Sequence, residues 1–242
     1  MLKGTDLKKS YRGLNILDGV DIELEPGKIS VIIGPSGSGK TTLLKVLSML
    51  DPPHSGRISV DDWNVQFPLE KGKKLTPPWP KLTVVFQQLF LWPHLTLLQN
   101  ITLPVFLRQG KEDTEKVEEL IDLFEMRGFI YRYPNEASLG QRQRAALARA
   151  LLLQPKYLLL DEITSSLDVE QVAIILTYLK KLAQAGIGIL TVTHLLHFAR
   201  EAADNVIFMD AGKIIEKGGK EVLLSPSQDR IKRFLSVIEQ AT

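Results

Sequence analysis

The sequence predicts an α/β protein built on a mostly parallel sheet, and three short apolar runs carry that expectation. Residues 28–34 (KISVIIG), 156–162 (KYLLLDE) and 187–194 (IGILTVTH) are nearly all apolar until they end in glycine, paired acids and histidine. Strands covered on both faces read as continuous apolar runs, because neither face has to meet water. Stretches of helical spacing separate the runs, as crossover connections between parallel strands require. Reactive groups in such sheets gather at the carboxyl ends of the strands, where these three runs place their polar residues.

The remaining elements follow in order. Residues 15–28 (NILDGVDIELEPGK) and 56–65 (GRISVDDWNV) alternate apolar and polar residues beside Pro-Gly and Ser-Gly turns, which predicts a small antiparallel sheet on the flank. After the first run and its glycine-rich turn, TTLLKVLSML (41–50) has helical spacing. The stretch 68–81 (PLEKGKKLTPPWPK) is rich in Pro, Gly and Lys and reads as an exposed loop. Residues 116–128 (KVEELIDLFEMRG) and 139–153 (LGQRQRAALARALLL) are helical with no buried strand between them, so 88–155 is expected to be a helical subdomain. It would be inserted between 1–87 and 156–242, the two parts of the α/β core, within a single domain of 1–242. Ile231, Phe234, Leu235 and Ile238 form an apolar stripe expected of a packing helix at the end.

Composition narrows the function classes. A chain of 242 residues with 44% hydrophobic content can bury one substantial core. A formal charge of +2, with basic residues scattered along the chain, leaves no footprint for nucleic acid. With no cysteine, disulfides, thiolate metal sites and Cys nucleophiles are excluded. Lys3, Asp6, Lys8, Lys9 and Arg12 interrupt the N-terminal stretch where a secretory signal needs an apolar core. No run approaches the roughly 20 apolar residues that cross a bilayer. Any membrane role is therefore expected to run through a partner.

The chemistry begins at 34–42, GPSGSGKTT. Gly34, Pro35, Ser36, Gly37, Ser38, Gly39, Lys40, Thr41 and Thr42 match the phosphate-loop pattern between a strand and a helix, so the expected fold is that of a P-loop NTPase, resembling the RecA-like sheet. The glycines let backbone N–H groups wrap phosphate oxygens, and the helix N-terminus adds positive potential. Lys40 would neutralise the β- and γ-phosphates and Thr41 would bind Mg²⁺. At the end of LLLDE, Asp161 would hold Mg²⁺ and Glu162 would orient or activate the attacking water. Phosphoryl transfer needs this division because its transition state is stabilised by positioning and charge neutralisation.

These segments, in this order and over nearly the whole chain, resemble the nucleotide-binding subunit of an ABC transporter. In YRGLNILDGVDIEL, Tyr11 matches the aromatic that stacks on adenine, with a core tyrosine as the rival reading. VVFQQLFLWPHLTLLQNI looks like the glutamine loop, with Gln87 reaching Mg²⁺ and the attacking water. In SSLD (165–168), Asp168 is similar to the aspartate-loop residue and is equally a helix N-cap. His194 matches the switch histidine that contacts the γ-phosphate. NEASLGQRQRAALARAL looks like the signature segment, retaining Ser138, Gly140 and Gln141. The sequence departs from the family at Ala137, at Leu139 where a glycine is usual, at Ile163 after the catalytic glutamate, and at Leu195 after the histidine.

The resemblance implies ATP and Mg²⁺ as ligands. It also implies catalysis at an interface with a second copy or a paralogous ATPase subunit, whose signature closes over the γ-phosphate. It implies integral membrane permease subunits, a possible extracytoplasmic solute-binding protein, and a place on the cytoplasmic face of a bacterial inner membrane. VFQQLFLWPHLTLLQNI and RIKRFLSVI are most similar to polar amino-acid uptake cassettes. Two alternatives stay open: an ATP-dependent binding or regulatory module with little turnover, and a lipoprotein or peptide export cassette. Leu139 is expected to carry strain of about 1–3 kcal/mol if its position needs positive φ, and otherwise to pack on its own helical subdomain. The apolar stretch LFLWP after the paired glutamines is expected either to receive a helix of the membrane subunit or to fill the core.

Overall fold

The computed structural model describes residues 1–110, 113–164 and 169–241, so the Asp168 segment lies outside the described residues. The chain opens with an antiparallel pair, β1 (Leu2–Tyr11) and β2 (Leu14–Leu24). It then enters β3 (Ile29–Ile33), and the glycine-rich turn leads into α1 (Lys40–Leu47). β4 (Ser55–Val60) and β5 (Trp63–Phe67) complete a four-stranded antiparallel sheet of order β2-β1-β4-β5, the flank that the alternating segments predict. The loop 68–81 follows, mostly exposed, before β6 (Leu82–Val85).

Three helices come next: α2 (Leu97–Gln109), α3 (Thr114–Leu123) and α4 (Leu139–Leu152). The chain returns through β7 (Tyr157–Asp161), α5 (Val169–Gln184), β8 (Gly188–Val192) and α6 (Leu196–Ala202). A hairpin of β9 (Asn205–Asp210) and β10 (Lys213–Gly218), the short α7 (Glu221–Leu224) and α8 (Asp229–Ala241) complete it. The second sheet has six strands in the order β10-β9-β3-β8-β7-β6; all neighbours are parallel except the β9–β10 hairpin. The three apolar runs become β3, β7 and β8 at its centre, and every residue of each is buried.

Both faces of this sheet are covered, which is why those runs do not alternate. One face, through Val31, Leu158, Leu160 and Phe208, shares a core with α2 to α6 and α8. The other, through Ile32, Leu159, Leu190 and Met209, shares a second core with α1 and the antiparallel sheet. The C-terminal stripe behaves as its spacing predicts: Ile231 and Leu235 are buried, and Phe234 packs edge-on against Phe208 at 5.2 Å between centroids. Fixing α1 between two sheets holds its N-terminus, and so the phosphate-loop turn, in register with the ends of β3, β7 and β8. Among the described residues no helix is long and apolar enough to cross a membrane.

Candidate active site

The turn between β3 and α1 is built by close backbone approach. A Cβ on Gly34 (φ +148°) would lie 2.0 Å from the Met209 carbonyl oxygen, and one on Gly39 (φ +101°) 2.6 Å from that of Ile16. Neither position tolerates a side chain, so β2 and β9 press the loop from behind. The β9–β10 turn adds a hydrogen bond, Gly212 N–H donating to the Ser38 carbonyl at 3.1 Å. Sequence reasoning does not assign this hairpin, although its VIFM run, followed by Asp-Ala-Gly, resembles the other strands.

Inside the turn, the Lys40 ammonium donates to the Gly34 carbonyl at 2.9 Å and the Pro35 carbonyl at 2.8 Å, with Ser38 Oγ at 3.4 Å. Burial pushes the Lys40 pKa down, and the nearby charges of Glu162 and Asp161 oppose the shift. Ser36, Gly37, Gly39, Lys40, Thr41 and Thr42 line a cavity of about 370 Å³ together with Tyr11, Glu162 and His194. The sequence reading misses Ile16 in this lining; an apolar residue within an alternating strand carries no signal of its own.

The strand ends meet here as expected. Thr41 Oγ1 donates to Asp161 Oδ1 at 3.1 Å, linking the first turn of α1 to the end of β7. Burial raises the Asp161 pKa; the Thr41 hydrogen bond works against this, and the neighbouring charge of Glu162 adds to it. Glu162 follows with φ +50°, a conformation that costs a non-glycine residue strain, and its N–H donates to the Val192 carbonyl at 3.0 Å. That turn aims its carboxylate across the sheet, with Oε1 2.6 Å from His194 Nε2. A hydroxyl and one carboxylate side by side suit a hard divalent cation that takes further oxygens from phosphates. Among the described residues no group of three or more His, Cys, Asp or Glu side chains forms a protein-only metal cage.

Gln87 lines a second groove of about 670 Å³, with Thr41, Lys45, Asp51, Gln88, Phe90 and Asp161. Thr41 belongs to both cavities, so the glutamine loop opens onto the Asp161 side of the site. The LFLWP stretch divides between its two readings: Leu89 is buried and Leu91 packs on the core, whereas Phe90 and Trp92 are exposed. Buried Asn100 pins the end of this loop, accepting from Trp92 N–H at 2.7 Å and donating to the Trp92, Leu95 and Thr96 carbonyls. Arg149, from the last turn of α4, donates to the Leu89 and Phe90 carbonyls and lies 5.5 Å from the Trp92 ring centroid.

The signature residues stand elsewhere. Ser138 is the N-cap of α4: its Oγ accepts from Gln141 N–H at 3.3 Å, and Gln141 Oε1 accepts from Ser138 N–H at 3.0 Å, a reciprocal capping box. Ser138 and Gly140 line a small cavity of about 60 Å³ with Arg144 and Gln171, and it shares no residue with the Lys40 cavity. Strain at Leu139 is overturned. The residue opens α4 in helical conformation, is absent from the positive-φ positions, and its half-buried side chain packs on the core shared with α2 and α3. Of the other departures, Ile163 is buried, and Leu195 is an N-cap of α6 that makes no side-chain cap.

A parallel sheet with a phosphate loop, an Asp-Glu strand end and a histidine on the next strand define a nucleotide-hydrolysing cassette. The ABC transporter family model matches residues 17–165, and the chain belongs to this family, whose members are ATPases. It is 40% identical over 243 residues to the L-cystine import ATP-binding protein TcyC of Bacillus subtilis, covering 98% of both chains. It is 38% identical to the glutamine transport ATP-binding protein GlnQ of Escherichia coli, covering 97% of this chain and 98% of the relative. Among solved structures, the dimeric post-hydrolysis form of the cassette MJ0796 bound to ADP and phosphate superposes with a TM-score of 0.79 at 30% identity, covering 90% of this chain and 98% of the other.

Proposed function

We propose that this chain is the ATP-hydrolysing subunit of an amino-acid uptake system, working at the cytoplasmic face of a membrane through permease subunits. The observation that carries the chemistry is the cluster around one cavity, in which Lys40, Thr41, Glu162 and His194 converge and Thr41 reaches Asp161. Lys40 neutralises the β- and γ-phosphates, Glu162 orients the attacking water, and His194 contacts the γ-phosphate while hydrogen-bonded to Glu162. Thr41 and Asp161, with Gln87 at the adjoining groove, would hold Mg²⁺, which supplies charge neutralisation when bound. Tyr11 offers the adenine platform. Ser138, Gly140 and Gln141 serve the nucleotide of a second cassette, as their separation from the Lys40 cavity supports. The relatives' transport names support amino acids as the class of solute, with an extracytoplasmic solute-binding protein as a further partner. Residues 88–155 form the helical subdomain between the two parts of the core.

Glu162→Gln tests the catalytic reading: ATP turnover falls by about 10³-fold while ATP binding persists, and an ATP-bound dimer accumulates. Turnover at the parent rate would falsify the role of Glu162. For the permease, Phe90 and Trp92 beside the Gln87 groove are the docking surface for a short helix. Crosslinks from cysteines placed at these positions should reach the permease in an active complex, and their consistent absence sinks the docking reading.

A further inference from the structure

The Tyr11 ring is not free-standing. Its hydroxyl donates to Asp51 Oδ2, and the Lys9 ammonium donates to Asp51 Oδ1. Lys9 also donates to the Pro52 carbonyl at 2.6 Å and lies 5.4 Å from the Tyr11 ring centroid. Only 7% of the Lys9 side chain is exposed, against 33% for Asp51. A nearly buried ammonium that spends its hydrogen bonds on one carboxylate and one carbonyl is a fixed post, not a surface charge. Asp51 in turn sits just beyond α1, its N–H donating to the Lys45 carbonyl at 3.2 Å. Thr42, in the first turn of the same helix, lines the same cavity as Tyr11. Tyr11 is therefore tied, through Asp51, to the far end of the helix whose first turn carries Lys40 and Thr41.

We propose that Asp51, braced by Lys9, is a positioning residue for nucleotide recognition: it fixes the Tyr11 ring at the mouth of the phosphate-loop cavity, so that a purine base meets a platform already set. The inference rests on the reading of Tyr11 as the adenine platform. A tyrosine that is 40% exposed and has no anchored hydroxyl samples several rotamers, and the base would have to order it on binding. The polarity of the link is set at neutral pH. Burial and the hydrogen bond to Asp51 push the Tyr11 hydroxyl up to about 12, so it stays a donor. Burial disfavours the Asp51 carboxylate, but the hydrogen bonds from Lys9 and Tyr11 outweigh it and hold the group below its ordinary value, so it stays an acceptor.

The test compares ATP with inorganic tripolyphosphate, which presents phosphates without a base. Asp51→Ala should weaken ATP binding about tenfold and leave tripolyphosphate within about twofold of the parent. Tyr11→Phe, which keeps the ring and removes the hydroxyl, should reproduce the loss. The double variant should add nothing further, because both changes cut one link. Asp51→Asn, still an acceptor, should restore most of the affinity. Equal losses for both probes would mean that Asp51 merely shapes the phosphate loop, and would overturn the inference. Should Asp51→Ala fail to fold with Lys9 left unpaired, Tyr11→Phe decides alone, and parent ATP affinity in that variant overturns the inference. Tyr11→Ala separates the two levels. Parent ATP affinity there overturns the platform reading and the inference with it; weakened affinity there, with Tyr11→Phe and Asp51→Ala at parent level, overturns the inference only.

Discussion

The Lys40 cavity and the Ser138 face are both built around a helix N-terminus, yet they differ in how much of their chemistry is left to others. At the first, α1 begins with a lysine whose cation is partly stripped of water, beside a carboxylate that burial keeps from ionising freely. At the second, α4 closes its own end: Ser138 and Gln141 satisfy each other's backbone N–H groups, and no acidic residue lies in the first turn. The first region carries unsettled electrostatics that a polyphosphate and a divalent cation would settle. The second is already settled and asks only for a surface to meet. In the proposed function a second chain brings the two kinds of end together.

The largest expected effect breaks the second region alone. Gly140 has no room behind it, since a Cβ would lie 2.5 Å from Gln171 Oε1, but that amide is the end of a flexible side chain and can yield. Gly140→Asp in the Glu162→Gln background should abolish the ATP-induced dimer, read by size-exclusion chromatography, and leave ATP affinity of the single chain unchanged. Loss of ATP binding as well would show that the two regions are not independent. A middling effect is expected at Leu139, where Leu139→Gly removes packing and adds backbone freedom at the start of α4. The variant should lose about 1–3 kcal/mol of stability in denaturant unfolding and gain no turnover. Faster turnover without that loss would mean that the Leu139 side chain obstructs the site.

The smallest effect sharpens the first region. The folded-state pKa of Asp161 is raised, chiefly by burial, so the fold favours the protonated group. That contribution is complete below the unfolded value near pH 3.9 and is lost as pH rises through the raised folded value. Asp161→Asn keeps an acceptor for Thr41 without the charge. It should raise the Tm by a few degrees at pH 7 and have no such benefit near pH 3, while turnover falls. An unchanged or lower Tm at pH 7 would mean that the charge is not a burden to the fold.

Much of this was legible in the residues. The three central strands announce themselves because each is covered on both faces and ends in a recognisable motif; β9 has the same apolar run but ends in no motif, and so passes unremarked. The phosphate loop, the Asp161-Glu162 pair and His194 are short motifs in a fixed order along the chain, which one dimension preserves. What sequence could not supply depends on contacts far apart in the chain. Gly212 bracing Ser38, and Lys9 and Asp51 holding Tyr11, join residues separated by tens to hundreds of positions. Leu139 misleads for a related reason: a leucine in place of a glycine suggests strain only until its backbone is seen to be helical. The SSLD segment, outside the described residues, stays an expectation.

The tie between Arg149 and Trp92 gives the molecule an optical reporter. The chain has three tryptophans, and Trp63 and Trp79 lie together in a groove with Pro77, Pro78 and Pro80, away from the glutamine loop. With those two replaced by phenylalanine, all indole emission would arise from Trp92. Its ring lies beside a guanidinium from the far end of the signature helix and two residues beyond an exposed phenylalanine. Any shift of that helix against the loop alters the charge above the indole and therefore the colour of its fluorescence, so movement of the signature helix against the glutamine loop can be followed in real time without an added dye.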